Sequence, residues 1–300
     1  MKGNLMGFKY RIMTDSSADM LPEFAAAEEI GIIPMSYTIG EEQFNCDHVE
    51  TDEERRRFYQ AQRDGKDTHT AQVNLQDCID RFSALAATGE SILFLSLSGG
   101  LSGSYNTSRM AADLVMEDYP DVEIRCVDSS AATGGLGMLL ELAAMKRSEG
   151  LSVSENAAWL EENKLRIQHW FMVDDLMFLR KGGRLSATSA VLGTALSIKP
   201  ILKIEADGTL NNFARKRSAK LAMLSLLQHY QESSLKEEGE ILYVVHSDND
   251  AAAEFLEAEL KKINPSCKIR RVQLTPVIGA HTGPGMCAVV NLSPPELARK

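Results

Sequence analysis

The sequence lacks the marks of an exported, membrane-spanning or metal-binding protein. Its cysteines are odd in number, scattered and never in C-x-x-C spacing, which favours reduced thiols in a cytoplasm over a disulfide framework or a zinc site: Cys46, Cys78, Cys126, Cys267 and Cys287. No stretch approaches the roughly 18 consecutive apolar residues of a membrane span, and the N-terminal segment shows no apolar core followed by a cleavage site. We therefore expect a cytoplasmic protein without bound metal or stable membrane anchoring.

Positive charge is also scarce. The 300 residues include 32 Lys and Arg against 42 Asp and Glu, a net charge of −10, which opposes binding to nucleic acid. The segment 199–220 is locally basic, and Arg180, Lys181 and Arg184 lie just upstream of it. Two interpretations of this cluster stay open, a solvated charged face and a docking surface for an acidic partner or a phosphate. No G-x-x-x-x-G-K-[ST] loop occurs, so nucleotide binding is not expected of this chain.

The order of apolar and helical segments predicts two domains. In residues 1–165, strands at 8–14, 32–39, 92–97 and 124–127 alternate with helices at 21–29, 52–62, 75–87, 135–147 and 153–163, which indicates an α/β domain with a parallel sheet covered on both faces. Residues 166–300 offer fewer strands and longer helices, which indicates an α+β domain, with strands at 167–173, 201–204, 241–245, 269–274 and 287–291 and helices at 174–180, 217–230 and 249–263.

Three polar loops follow apolar runs of the first domain, at the sheet edge where parallel sheets bind ligands: residues 15–17, 98–104 and 128–130. The second loop opens into a helix, so its hydroxyls and backbone N–H groups could hold an anion, although serine and glycine are also ordinary loop residues. We expect Ser17 and Ser130 to cap helices, and Ser98 and Ser102 to contact a ligand.

One histidine stands out from the other five. His281 lies in the glycine-rich segment VIGAHTGPG, which predicts a rigid turn between two apolar strands that exposes the imidazole. The remaining histidines have no such setting: His48, His69, His169, His229 and His246.

Six motifs follow one another over nearly the whole chain: IMTDSSADMLPE, THTAQ, SLSGGLSGSY, CVDSS, FMVDDLMFLRKGGRLS and VIGAHTGPG. In this order they resemble the motifs of the DegV family, which includes the fatty-acid-binding subunits of bacterial fatty acid kinases. This resemblance implies an N-terminal α/β domain and a C-terminal α+β domain with a long-chain fatty acid bound between them. It also implies that a separate ATP-dependent kinase phosphorylates the acid to an acyl phosphate, so that this chain needs no catalytic machinery or cofactor of its own.

The resemblance assigns roles to individual residues. Thr70, Ser102 and His281 would hold the fatty acid carboxylate, with Ser98 as a neighbour and without a fixed cation. Ala71 and Ser104 depart from the family pattern, which has serine and threonine at these places.

Arg184 and Arg215, with Arg217 as an alternative to the latter, fall at positions resembling those that meet the kinase. The apolar segment 185–198 would be either part of the tail pocket or an ordinary buried helix.

Two alternative functions stay open. A serine hydrolase would use Ser102 as nucleophile and His281 as base, although the G-x-S-x-G motif is absent around Ser102. A sensor of a small ligand or nucleotide would use the same loops without any lipid.

Overall fold

The computed structural model describes residues 10–46, 51–185 and 198–300. The segment 185–198, predicted as a part of the pocket, lies outside the described residues except at its two ends. The strands are β1 (Arg11–Asp15), β2 (Gly31–Ile33), β3 (Ser36–Ile39), β4 (Glu42–Asn45), β5 (Thr68–Ala71), β6 (Ile92–Ser96), β7 (Ile124–Asp128), β8 (Ile167–Met172), β9 (Lys199–Ile204), β10 (Leu210–Lys216), β11 (Ile241–His246), β12 (Lys268–Gln273) and β13 (Cys287–Leu292). The helices are α1 (Pro22–Ala27), α2 (Asp52–Arg63), α3 (Leu75–Ala86), α4 (Ser104–Asp118), α5 (Thr133–Ser148), α6 (Val153–Asn163), α7 (Leu176–Lys181), α8 (Ala219–Ser233), α9 (Asp250–Ile263) and α10 (Pro276–Thr282).

The first domain contains the predicted parallel sheet. Its strand order is β2-β1-β6-β7, and every neighbouring pair is parallel. All five residues of β6 are buried, as expected for a central strand with helices on both faces. The carboxyl ends of β1, β6 and β7 therefore meet at one edge, where the three polar loops lie.

The predicted strand at 32–39 is wrong as a single element. It is divided at Pro34 into β2, which joins the parallel sheet, and β3, which forms a separate antiparallel sheet of order β4-β3-β5. Proline has no N–H for a central ladder, so a break at this point is physically reasonable. The segment pattern also does not predict β5, the strand that carries Thr70.

The second domain is a mixed sheet of order β10-β9-β8-β13-β11-β12, in which β11 and β12 are parallel and the other pairs are antiparallel. Helices α8 and α9 pack on one face and bury a compact apolar core there. Residues 164–166 form a short 3-10 helix between α6 and β8, and the boundary proposed near Leu165 falls within it.

Helix α5 lies between the two sheets, in contact with β1 and β6 on one side and with β8, β11 and β13 on the other. Glycines allow this close approach. A Cβ on Gly135 would collide with the ring of His169, and one on Gly134 would come within 2.7 Å of Val245. Among the described residues, no helix is both long and apolar enough to cross a membrane.

Candidate functional site

A cavity lies between the loop edge of the first domain and the inner face of the second sheet, with an empty space of about 750 Å³ that includes the open solvent at its mouth. Its apolar wall comes from both domains: Met35, Leu97, Leu101, Ala132, Phe171, Leu179, Ile204, Leu210, Val277, Ile278, Met286, Ala288 and Val290. Its polar lining is Thr70, Gln72, Ser102, Thr133, His169, Arg184, His281 and Thr282. A mostly apolar cavity with a few polar groups has the form of a site for a small amphipathic ligand.

Thr70 and His281 meet at the cavity although 211 residues separate them. The Oγ1 atom of Thr70 lies 2.8 Å from Nε2 of His281. The other ring nitrogen, Nδ1, has no hydrogen-bond partner among the described residues and faces Gly182, where any Cβ would collide with it. The pair and the glycine together fix the position of the imidazole.

The predicted turn around His281 is instead the short helix α10. Pro276 begins the helix, where its missing N–H is of no consequence, and Gly283 with φ of 70° ends it. Gly279 lies inside the helix because the ring of Tyr59 packs against it, leaving no room for a side chain. A packing requirement, and not a turn, therefore explains this glycine.

Ser102 lines the same cavity, and its Oγ lies 2.9 Å from the Oγ of Ser104 and accepts a hydrogen bond from the Ser104 N–H at 3.2 Å. The serine at 104 therefore still supplies a hydroxyl at this point. Ser98 lies elsewhere: it is fully buried, does not line the cavity, and donates from Oγ to the Gly208 carbonyl at 2.9 Å. Its hydroxyl connects the first domain to the β9–β10 turn, so a ligand contact by Ser98 is not supported.

Aspartates in the other two polar loops accept backbone hydrogen bonds from residues at the start of the loop at 98–104. Asp15, fully buried, accepts hydrogen bonds from the Leu97 N–H at 2.8 Å and from the Ser17 N–H at 3.1 Å. Asp128 accepts from the N–H groups of Gly99 and Ser130 at 3.0 and 2.9 Å.

The expectation that Ser17 and Ser130 cap helices is wrong. The cap position is held by Leu21 in α1 and by Ala132 in α5, and neither residue supplies a side-chain hydrogen bond to its helix. The hydroxyl of Ser17 instead donates to the Asp15 carboxylate within the same loop, and Ser130 has a φ of 46° in the tight turn after β7. Both serines therefore shape their loops before the helices begin.

The family resemblance predicts that Arg184 meets a partner kinase, whereas the structure places this residue at the cavity. Its side chain is half-buried in the cavity wall, where Nε donates to the Leu101 carbonyl at 3.0 Å and Nη1 to the Gly182 carbonyl at 2.6 Å. The cavity therefore does contain a fixed cation, contrary to expectation. Arg215, by contrast, is exposed on the edge strand β10, and Arg217 is exposed just after it.

The imidazole of His281 is uncharged at neutral pH. Burial lowers the pKa of His281 to about 4, and the positive charge of Arg184 acts in the same direction. In this state the ring carries a single N–H, so it can donate one hydrogen bond and accept another.

The geometry does not support the hydrolase alternative. The Nε2 of His281 faces Thr70, the hydroxyl of Ser102 faces Ser104, and among the described residues no carboxylate is hydrogen-bonded to His281. Across the same residues, no group of three or more His, Cys, Asp or Glu side chains could hold a metal ion.

The fold and the cavity define a class of two-domain α/β protein, in which a parallel-sheet domain and a mixed-sheet domain enclose an apolar pocket with a polar end. The model for the DegV family, described as an uncharacterised protein family, matches residues 9–293. The chain belongs to the DegV family.

Relatives are similar over nearly their whole length. A DegV domain-containing protein of Clostridium perfringens is 35% identical over 281 residues, which cover 94% of this chain and 96% of the relative. A DegV lipid-binding protein from Thermotoga maritima has a TM-score of 0.81 at 28% identity, with 97% of this chain and 100% of that chain covered. A second Thermotoga maritima protein, described as having a fatty acid binding function, has a TM-score of 0.79 at 26% identity, with coverage of 96% and 100%.

A third structure is the B3 protein of Streptococcus pneumoniae fatty acid kinase, loaded with linoleic acid. Its TM-score is 0.83 at 20% identity, with 95% of this chain and 100% of that chain covered. At this identity the likeness shows the shared fold alone.

Proposed function

We propose that this protein binds a long-chain fatty acid in the cavity between its domains and presents the carboxylate to a partner kinase. The observation that carries the proposal is the continuity of an apolar cavity with the Thr70–His281 pair, because a fatty acid is itself an apolar chain with one polar end. Relatives described as lipid- or fatty-acid-binding proteins support the ligand class.

Burial of the tail supplies most of the affinity. Each methylene removed from water contributes about 0.8 kcal/mol, so a sixteen-carbon tail would contribute on the order of 10 kcal/mol before the cost of ordering the ligand. The polar residues then have to orient the head group, and they need to contribute only a small part of the binding free energy.

The polar end is suited to a carboxylate. The single N–H of the neutral His281 ring can donate from Nε2 to Thr70 Oγ1, which leaves the hydroxyls of Thr70 and Ser102 as donors to the cavity, and a carboxylate only accepts. The guanidinium of Arg184 adds positive charge there while two of its N–H groups are already used by backbone carbonyls. The acid would thus be held by hydroxyl donors in the favourable field of Arg184, with a carboxyl oxygen left for reaction.

The kinase step belongs to a partner. The chain contains no phosphate-binding loop of the P-loop type, and Arg215 and Arg217 are exposed on a locally basic segment of an acidic protein. We infer that these two arginines meet an acidic surface of the kinase, while Arg184 belongs to the ligand cavity. The structural likeness to the B3 protein of a fatty acid kinase is in keeping with this role.

The first experiment tests the ligand. Mass spectrometry of an organic extract of purified protein should recover a stoichiometric fatty acid, and delipidated protein should take up hexadecanoic acid saturably. A nucleotide or other small molecule in place of lipid would favour the sensor alternative, and release of product from an activated ester with burst kinetics would favour the hydrolase.

A matched pair of variants tests the head-group site. Thr70→Val should weaken binding tenfold or more, because a hydrogen bond to a charged group contributes about 1.5–3 kcal/mol. Thr38→Val changes the neighbouring strand β3 in the same way outside the cavity and should bind like the parent. Equal affinities of the two variants would contradict the proposed site.

The second experiment tests presentation. Loaded protein, a fatty acid kinase catalytic subunit and ATP should yield acyl phosphate, which hydroxylamine traps as a hydroxamate. Arg215→Glu should lower the rate without changing fatty acid affinity, whereas Arg81→Glu, an exposed charge reversal on α3, should not. Loss of fatty acid affinity in Arg215→Glu would contradict the proposal that Arg215 contacts the kinase and not the ligand.

A further inference from the structure

The deep wall of the cavity contains a histidine that the carboxylate site does not use. His169 on β8 is 4% exposed and lines the cavity, and neither of its ring nitrogens has a hydrogen-bond partner among the described residues. Burial, followed by the charge of Arg299, holds the pKa of His169 well below its usual range, although the nearby Ile167 backbone opposes this shift. The ring is therefore neutral and has one N–H and one acceptor nitrogen without partners in an otherwise apolar wall.

A second polar group lies at the start of α5, the helix that contacts β8. Thr133 also lines the cavity and has a φ of 55°, an outlier for a β-branched side chain. Two residues further on, Gly135 packs directly against the His169 ring, so the threonine lies in the first turn of the helix that contacts the histidine. Strained backbone of this kind persists where the surroundings impose it, and such positions concentrate at ligand sites.

The register of the second sheet gives the depth of His169. Met286, Ala288 and Val290 line the cavity in alternation along one face, and His169 pairs with Val290. Met286 lies at the end of the sheet that follows α10, the helix of His281, so His169 is four residues deeper, or about 13 Å at roughly 3.3 Å per residue. With C–C bonds of about 1.5 Å, an extended acyl chain advances by about ten carbons over that distance.

We propose that His169 and Thr133 form a second polar subsite, which selects a long-chain fatty acid with a hydroxyl group near the middle of its tail. This proposal rests on the proposed function, because it needs the carboxylate at the His281 end. A tail hydroxyl is both a donor and an acceptor, so in either tautomer of the neutral imidazole it can pair with the ring nitrogen that does not lie against Gly135. A plain saturated tail would leave the imidazole unpaired and exclude the water that could otherwise reach it.

The test compares ligands on delipidated full-length protein. The probes are octadecanoic acid, 10-hydroxyoctadecanoic acid and 3-hydroxyoctadecanoic acid, with Kd measured by calorimetry or by displacement of a fluorescent fatty acid. We expect the 10-hydroxy acid to bind roughly tenfold tighter than the plain acid, the factor that corresponds to satisfying one buried polar group. The 3-hydroxy acid, whose hydroxyl falls short of His169, should show no such advantage.

A pair of histidine variants locates the effect. His169→Leu should abolish the preference for the 10-hydroxy acid while it retains affinity for octadecanoic acid. His229→Leu is the matched control, because His229 stacks on Trp170, the next residue of β8, on the opposite face of the sheet. This control should keep the preference. Thr133→Gly, which removes a hydroxyl and relieves the backbone, should reduce the preference even if His169→Leu is poorly folded.

The outcomes separate the two proposals. Equal affinity for the plain and the 10-hydroxy acid in the parent protein would overturn the second subsite while it leaves fatty acid binding intact. A preference that persists in both His169→Leu and Thr133→Gly would overturn the assignment of these residues. Failure of every acid to bind would overturn the proposed function itself.

Discussion

Fatty acid binding should draw a proton onto His281. In the free protein the pKa of this residue is about 4, so only about 1% of the molecules carry a proton there at pH 6. A carboxylate placed about 4 Å from the imidazole would favour the charged form by about 4 kcal/mol at an effective dielectric constant near 20. That is about a thousandfold in the protonation equilibrium, which would make about nine-tenths of the bound molecules protonated at pH 6.

The sign of the pH dependence follows from the same comparison. The pKa of His281 in the free fold lies below that of an unfolded histidine, so the free protein binds fewer protons than the unfolded chain and loses stability as the pH falls from about 6.5 toward about 4. Under the proposed function a bound fatty acid would raise the pKa of His281, so fatty acid affinity should increase over the falling pH range in which only the complex is protonated.

Calorimetry measures the proton directly. Titrations at pH 6 in two buffers of different ionisation enthalpy should show an uptake of about 0.9 proton per fatty acid, decreasing to about 0.1 at pH 8. His281→Gln should abolish the uptake, and His229→Gln, on the face of the second sheet opposite the cavity, should keep it. If the parent protein takes up no proton at pH 6, or if His281→Gln takes up as many protons as the parent, the carboxylate does not lie beside this imidazole.

Three further substitutions test the residues that position the cavity side chains or stabilise the fold around them. Gly182→Ala should weaken fatty acid binding tenfold or more in a fluorescence titration, because its Cβ would displace the ring of His281. Thr133→Gly should raise the free energy of unfolding by about 1 kcal/mol in urea, because glycine adopts positive φ without strain. Glu141→Ala should lower the free energy of unfolding by about 3 kcal/mol or more, because Arg270, whose Nε donates to Glu141 at 2.9 Å, would lose its buried partner.

Each of these substitutions has a control in which the same residue type is changed in the same way at a position outside the cavity or on the surface. Gly183→Ala, with φ of 73° and open space around the new Cβ, should lower stability by about 1 kcal/mol and leave binding unchanged. Thr107→Gly inside α4 should lower stability, the opposite sign to Thr133→Gly. Glu149→Ala removes an exposed partner of Lys146 and should change stability by less than about 1 kcal/mol. Equal effects in a variant and its control would contradict the reason given for that variant.

Strands could be predicted from the sequence where they are long and buried, but not where they are short. Strand β6 is a mostly apolar run in which every residue is buried, so its sequence clearly predicts a strand, and it lies at the centre of the parallel sheet. Strand β5 has four residues with alternating exposure, and its neighbours β3 and β4 are equally short. Such a strand is defined by its partners more than by its own residues, so Thr70 could be placed only through the family resemblance.

The polar loops show a second limit of local reasoning. Serine after an apolar run fits a helix cap, a ligand contact or a brace equally well, and the sequence does not show which backbone group lies opposite. For Ser98 that group is the Gly208 carbonyl, 110 residues away. The carboxylates that organise these loops, Asp15 and Asp128, carry more of the local structure than the serines beside them, because each accepts two or more backbone or hydroxyl donors.

The place of His169 was predictable from strand alternation, although no motif marks it. In the strand segment QHWFM, inward-facing positions alternate, so the buried Phe171 predicts that residue 169 shares its face. A histidine on the inner face of a buried strand has to find a partner, and a sheet in which its neighbours are valine and alanine offers none. The partner must then come from a helix, from water or from a ligand. At Gly135, where α5 packs against the ring, the helix offers no side chain as a partner, so we expect the partner to come from the cavity.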